Sequence, residues 1–277
     1  MTGDIDERIS SHYGWSGLMG TIEGEIRDKG IDPQHVTVAQ LAPVDNYHWH
    51  RLAGTLAQAR AAEITAADQV LDVGGGIGGP ARQLAHRFGC HVTVLDLTPE
   101  YCAVGAQLTD WTGLSDRVTF VHANALEMPF PDASFDVVWT QHASMNIPEK
   151  AGLYREIARV VRPGGRFAFF DVLAGPKQPI HFPVPWAADE SFSFLVSPEE
   201  TRALITAAGF RETVWLTGEA LDAELEDADP SLAGQPGEPA LNPGLLNGPD
   251  GPRMGANVAR NSEEGRIVPA LGVFLRN

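Results

Sequence analysis

The residues best equipped for chemistry stand in one stretch, Gln69 to Leu84, which reads QVLDVGGGIGGPARQL. Val70, Leu71 and Val73 form the short apolar run of a buried parallel strand. The run meets Gly74, Gly75 and Gly76, with Gly78 and Gly79 just beyond. Such a cluster lets the backbone turn sharply and lets a ligand come close. Pro80 suits a first helical turn, where its missing N–H has no partner to lose, and Ala81, Leu84, Ala85 and Phe88 follow at helical spacing. A strand that turns through glycines into a helix leaves backbone N–H groups pointing past the strand's C-terminal edge. That geometry suits a nucleotide-like ligand. Further on, HVTVLDL (91–97) reads as a second strand whose Asp96 can accept hydrogen bonds from a ribose diol.

The glycines fit two patterns. Gly74, Gly76 and Gly79 match the dinucleotide G-x-G-x-x-G, and Gly74, Gly76 and Gly78 behind Asp72 match a carboxylate-led G-x-G-x-G. Asp72 favours the second, because dehydrogenases usually carry a small apolar residue there. A carboxylate at a buried strand end costs desolvation unless a cationic group meets it.

A second group of chemically able residues is N-terminal: His12, Tyr13, Trp15, Tyr47, His48, Trp49 and His50. Packing or solvation is the ordinary reading of each alone. Together, on a helical segment ahead of the first strand, they suit a cover over the sheet edge. His48 and His50 point alike in an extended chain, but no third ligand accompanies them, so no metal is assigned.

The elements that must position these residues alternate. Residues 1–68 read as mainly helical, with Leu18, Ile22 and Ile26 on one helix face and Gly30 as a stop. From residue 69 onward strands and helices take turns. Strands are expected at 69–73, 91–97, 117–124, 135–140, 166–173 and 212–216, and helices at 99–112, 149–161 and 198–208. Arg162-Pro163-Gly164-Gly165 ends the second of these helices. This rhythm implies a Rossmann-like α/β sheet with helices on both faces, mostly parallel. Arg266–Leu275 is a final strand, expected antiparallel beside the sixth. The stretch 219–264 breaks the rhythm: acidic at first, then rich in proline and glycine. It is expected either as loose coil or as an ordered lid. The division is thus a helical cap, 1–68, and a ligand-binding domain, 69–277, with that insertion.

Composition narrows the partners. The 277 residues carry 20 basic and 36 acidic side chains, a net charge of −16, which argues against nucleic acid and anionic membrane. The two cysteines, Cys90 and Cys102, offer no disulfide framework or zinc spacing, in keeping with a reducing cytoplasm. The polar, acidic start MTGDIDERIS does not read as a secretory signal. No apolar run approaches the roughly 18 residues of a membrane helix.

With VLDVGGGIGG (70–79), VLDL (94–97), HANALEMPFPDASFDVVWT (122–140) and RVVRPGGRFAFFD (159–171) in hand, the chain resembles the class I S-adenosylmethionine (SAM)-dependent methyltransferases. WTQHASMNIPEK (139–150), VDNYH (44–48) and NSEEGR (261–266) make it similar to two small-molecule branches. These are the glycine, sarcosine and dimethylglycine N-methyltransferases and the tocopherol and sterol C-methyltransferases. The resemblance implies SAM as cofactor and a small-molecule acceptor, an amine nitrogen or an activated carbon, and leaves self-association open. It implies Gly74 and Gly76 along the methionine part of SAM, Asp72 near its amino group and Asp96 on the ribose hydroxyls. Leu97, Asn124, Ala125 and Leu126 would surround the adenine, with Gln141 near the methionine moiety. His142 is the first choice of base and His48 the second. Tyr13, Tyr47 and Trp186 are expected on the acceptor, with Phe182, Phe192 and Phe194 as further wall and Asp189 or Glu190 near a cationic amine. Three departures stand out. Gly75 replaces the usual cysteine, which is expected to be harmless, and Asn124 replaces the usual aspartate. Trp49, His50 and Arg51 replace the arginine and glycine that often follow the VDxxH element. A nicotinamide-dependent oxidoreductase and a non-catalytic SAM-binding module remain as alternatives.

Overall fold

The strand expected before the glycines is β1 (Gln69–Val73), and it stands inside a seven-stranded sheet. The computed structural model describes residues 17–46, 48–226, 241–242 and 244–277. Tyr13 and Tyr47 lie outside the described residues. The other strands are β2 (His91–Asp96), β3 (Val118–His122), β4 (Phe135–Gln141), β5 (Val161–Ala174), β6 (Phe210–Thr217) and β7 (Ile267–Arg276). Their order is β3-β2-β1-β4-β5-β7-β6. The first five run parallel, and β7 lies antiparallel between β5 and β6. The sheet therefore changes direction of winding between β1 and β4. The crevice outside the strand C-termini at such a switch point is where ligands bind in open α/β sheets.

The described helices are α1 (Leu18–Asp28), α2 (Val38–Asp45), α3 (Arg51–Ala61), α4 (Gly79–Phe88), α5 (Pro99–Trp111), α6 (Lys150–Val160), α7 (Pro198–Ala207), α8 (Gly218–Glu226) and α9 (Gly251–Glu263). Alternation along β1 explains the layers. Leu71 and Val73 face a core with Leu153 and Ile157 of α6 and Ile205 of α7. Val70 faces the opposite core, with Ala59 of α3 and Ala81 and Leu84 of α4. Each of these Val, Leu and Ile side chains, fully buried, contributes about 1.5–3 kcal/mol.

The N-terminal helices dock through the stripe read from the sequence. Leu18, Ile22 and Ile26 of α1 share a core with Leu41 and Val44 of α2 and with Val104 and Leu108 of α5. A Thr37–Gln40 capping box starts α2. Its end is fixed by a buried ion pair: Arg82 of α4 donates to both carboxylate oxygens of Asp45, at 3.1 and 2.5 Å. The approach is close enough to require Gly79, where a Cβ would sit 2.0 Å from the Asp45 carbonyl oxygen.

Two sequence expectations change. Val161 already pairs with Phe135, and the pairing resumes at Arg166 with Val137, so the Arg162–Gly165 turn is a bulge inside β5 rather than a gap before it. The Pro/Gly-rich stretch is not simply coil: α8 and α9 are helices at its two ends, while 227–240 lies outside the described residues. Leu225 of α8 packs with Ala57 and Phe170. Pro269 in β7 is tolerated because it lies beyond Ala270, the last residue that β6 pairs.

Candidate active site

A cavity of about 620 Å³ opens at the C-terminal ends of β1, β2 and β4. Twelve expected residues line it: Asp72, Gly74, Gly76, Asp96, Leu97, Asn124, Ala125, Leu126, Gln141, His48, His142 and Trp186. The volume is that of a site able to bury a drug-sized ligand.

On the β1–β2–β3 side, the glycine turn and two carboxylates set the chemistry. Gly74 takes a left-handed φ of 72°, and a Cβ there would lie 2.5 Å from Ala143. The Gly76 N–H donates to Asp96 Oδ2 at 2.9 Å, and the Thr98 N–H donates to Oδ1 at 2.8 Å. Burial pushes the Asp96 pKa up while these amides oppose it. The Thr98 side chain also hydrogen-bonds the carboxylate, whose two oxygens together can accept about four bonds. Asp72 is 1% exposed and its Oδ2 has no partner. Burial, with Asp96 adding repulsion, pushes its pKa up to about 8. Gly75 is not neutral here: a Cβ would meet Asp72 Oδ2 at 2.6 Å, so the missing side chain leaves room for this carboxylate rotamer. Asn124 Oδ1 accepts from the Leu126 N–H at 2.8 Å, which holds the turn carrying Ala125 and Leu126.

On the β4–β5 side the groups are neutral. Gln141, 7% exposed, ends β4. Its Nε2 lies 3.1 Å from His48 Nδ1, and its Oε1 lies 3.3 Å from Thr55 Oγ1. Thr55 also reaches His48 Nε2 at 3.2 Å and Asn46 Oδ1 at 3.3 Å. Its single proton serves one acceptor at a time, and His48 Nε2–H can donate to it in return. His142 stacks on His48, centroids 5.6 Å apart, and meets Phe170 edge-on at 4.9 Å. Neither ring nitrogen of His142 has a partner. Burial holds His48 down at about 4 and His142 well below its ordinary value, so both imidazoles are neutral at pH 7.

The backbone is strained where the cavity needs it. His50, Arg51 and His142 have φ of 62°, 47° and 54°, and all three line the cavity. Non-glycine residues rarely adopt this region, and such strain gathers at functional sites.

Trp186 lines the cavity, with its indole N–H on Ser193 Oγ at 3.1 Å. Phe182 and Phe192 pack behind it, in the cluster with Met145, Val172 and Val184, and neither lines the cavity. Phe194, Asp189 and Glu190 are also absent from the lining. Sequence reasoning missed Tyr101, Met145, Asn146, Val172, Leu246 and Val258 as lining residues and Thr55 as the hub of the polar network. Helical spacing ahead of the first strand pointed to α3, but nothing marked Thr55 as its inward polar residue. No group of three or more His, Cys, Asp or Glu among the described residues is placed to hold a metal.

The profile described as a methyltransferase domain matches residues 71–169, the span from β1 into β5 that builds the glycine turn and the Asp72–Asp96 pair. Residues 71–169 match a methyltransferase domain. The four motifs quoted above fall within it except for Val70, Phe170 and Asp171. Sterol 24-C-methyltransferase of Eremothecium gossypii is 42% identical over 113 residues, 41% of this chain and 30% of that protein. Sarcosine/dimethylglycine N-methyltransferase of Halorhodospira halochloris is 32% identical over 143 residues, 52% of this chain and 51% of that one. The chain thus spans between 30% and 51% of the length of these two relatives. The methyltransferase-domain likeness extends to whole-chain architecture. Geranyl diphosphate C-methyltransferase of Streptomyces coelicolor A3(2), solved with S-adenosylhomocysteine, superposes with a TM-score of 0.65 over 99% of this chain and 98% of that one, at 17% identity. The sheet order and antiparallel β7 make the fold that of the class I methyltransferases.

Proposed function

We propose that the chain is a SAM-dependent methyltransferase acting on a small-molecule acceptor. The observation that carries this reading is the buried, unpartnered Asp72 Oδ2 beside a glycine turn and Asp96 in one cavity. The residues fit the cofactor. Asp72 is an orphaned acceptor for its amino group, Gly74 and Gly76 leave the backbone bare, and Asp96 has acceptor capacity left for a diol. Leu97, Asn124, Ala125 and Leu126 would flank the base, and Gln141 the methionine part. When bound, SAM supplies a methyl group on a cationic sulfur that keeps the bonding pair as the methyl leaves.

The chain's own residues then have three tasks. They hold the acceptor in line and exclude water, a proximity effect. They also take up the acceptor's proton where it has one. His142 is the base in this reading: it lines the cavity as a neutral imidazole, with both nitrogens buried and without partners. His48 orients it by stacking and is itself held through Gln141 and Thr55. Residues 1–68 act as the cap on a 69–277 catalytic domain, with Tyr13 and Tyr47 on the acceptor. A net charge of −16 supports an enzyme with no nucleic-acid partner, and the free Cys90 and Cys102 support a cytoplasmic one. No described helix is long and apolar enough to cross a membrane. Calorimetry comparing SAM with NAD is the test. Saturable SAM binding is expected, and NAD binding in its place would move the chain to the oxidoreductases.

A further inference from the structure

Asp171 breaks an apolar row. Alternation along β5 puts Phe167, Phe169 and Leu173 in the core under α6 and α7, and Asp171 falls on the same face. It is 0% exposed and does not line the cavity. A buried carboxylate in such a layer costs desolvation that a leucine would avoid, so stability alone does not account for it. Its partners do. Oδ2 accepts from the Ser144 N–H at 2.8 Å and from the Ser144 hydroxyl at 2.5 Å, and Oδ1 accepts from the Val172 N–H at 2.9 Å. The Ser144 carbonyl accepts from Lys150 Nζ, which also donates to the Ile147 carbonyl at 2.8 Å. Lys150 is buried too, at the start of α6. Ser144 therefore stands between a buried cation and a buried anion, with its N–H, hydroxyl and carbonyl all committed.

The neighbours of Ser144 show what this hold controls. From Gln141 to Glu149 every residue lines the cavity except Ser144, which anchors the turn from behind. The turn begins at His142 with φ 54°, a conformation that persists only where the surroundings over-determine it. The His142 N–H donates to the Phe170 carbonyl at 2.8 Å, one residue before Asp171. Toward β1, a Cβ on Gly74 would lie 2.5 Å from Ala143, so the two turns abut without slack. Away from β1, the Met145 carbonyl accepts from the Phe194 N–H at 2.8 Å. Asn146 donates to the Trp186 and Phe192 carbonyls at 2.8 and 3.0 Å. A shift of Ser144 is therefore passed to Ala143 beside Gly74 and to the segment that carries Trp186.

Resting on the methyltransferase reading, we propose that Asp171 is a positioning residue: through Ser144 it sets the β4–α6 turn against the glycine turn and so shapes the part of the cavity that takes the amino-acid end of the cofactor. Buried polar networks of this kind lock the rotamers and backbone on which a site's precision depends. The test is calorimetry on the full chain with S-adenosylhomocysteine and with methylthioadenosine, which lacks the amino-acid end. Asp171→Asn keeps the shape but removes the charge and one of two acceptor oxygens. Ser144→Ala removes only the hydroxyl, and it decides alone if the first variant does not fold. S-adenosylhomocysteine should weaken about tenfold in Asp171→Asn and about threefold in Ser144→Ala, while methylthioadenosine stays within about twofold. The double variant should bind no more weakly than Asp171→Asn, because the hydroxyl acts through the carboxylate. In the free chain, hydrogen exchange at residues 142–149 should quicken in both variants while that of β1 and α4 is unchanged. Three results overturn the inference: unchanged S-adenosylhomocysteine affinity in the folded variants, an equal loss for both probes, which marks a general loss of structure, or additive losses in the double variant. A parent chain that binds neither probe would instead defeat the cofactor reading, and the exchange contrast would still judge whether Asp171 holds the turn.

Discussion

Asp72 offers a measurement that separates a ligand-binding carboxylate from a structural one. Buried beside Asp96, it has its pKa raised from 3.8 to about 8. In the free protein at pH 7 it then carries roughly 0.9 of a proton. A cationic amino group docking on Oδ2 favours the ionised form, so binding at pH 7 should release close to that amount. Affinity for S-adenosylhomocysteine should rise about tenfold per unit between pH 6 and 7 and level off above about 8. Stability of the free chain moves the other way. The folded pKa lies above the unfolded value, so the favourable contribution is complete below about pH 4 and is lost as pH rises to about 8. The loss is about 1.4 kcal/mol per pH unit, on the order of 5 kcal/mol in all. Asp72→Asn removes both effects. The variant should bind S-adenosylhomocysteine more weakly, release no proton, and gain stability over the parent as pH rises from 5 to 8. Calorimetry in buffers of different ionisation enthalpy reads the proton, and urea unfolding across pH reads the stability. No proton release by the parent at pH 7, or an equal release by the variant, would refute the reasoning.

Three further outcomes are expected. Asp96→Asn should lower SAM affinity at least about tenfold by calorimetry, because it replaces charge-assisted acceptors worth about 1.5–3 kcal/mol each and turns an NH2 toward the Gly76 or Thr98 N–H; unchanged affinity would remove Asp96 from the site. Arg82→Met leaves the Asp45 carboxylate buried without its partner and should cost about 3–5 kcal/mol in urea unfolding, whereas a loss near zero would mean that water reaches the pair. Lys150→Met takes the donor from the Ser144 and Ile147 carbonyls beneath the His142–Ile147 turn and should cost about 1–3 kcal/mol in thermal unfolding.

What the sequence made legible follows the strength of its local signals. The β1–Gly–α4 unit, the Asp96 position and the parallel order were readable because alternation, glycine and proline act within a few residues. Twelve of the expected site residues meet at one cavity because strand C-terminal ends converge at the switch point whatever the side chains are. Partnerships between distant elements were not readable. Thr55 reaches Gln141 across 86 positions, and Arg82 joins Asp45 across 37. Nothing in either residue's neighbourhood announces its partner. The neutrality of His142 was equally hidden, since it comes from burial beside His48 and Phe170 rather than from its neighbours in sequence.

The cover over the site shows where composition misled. Proline and glycine between 229 and 255 favour coil, and the apolar stripe of α1 favours docking, so a reading by composition gives the lid to the N-terminal segment and at most an outer rim to 229–255. Yet α1 spends its stripe on α5, away from the β4–β5 side. The residues that line the cavity from the N-terminal segment are Asp45, Asn46 and those of the turn at His48–Arg51, strained at His50 and Arg51. Opposite them stand Leu246, Gly255 and Val258 from the Pro/Gly-rich stretch. Pro252 sits in the first turn of α9, where proline is tolerated, and Gly255 lies on the cavity face, where the absence of a side chain is space rather than disorder. With α9 buried mainly through Asn261, its hold on the wall is a few hydrogen bonds at about 1 kcal/mol each, against an apolar core for α1. The N-terminal helices therefore form the rigid side of the entrance and α9 the yielding side, in line with the apolar stripe of α1 and the proline and glycine of the later stretch.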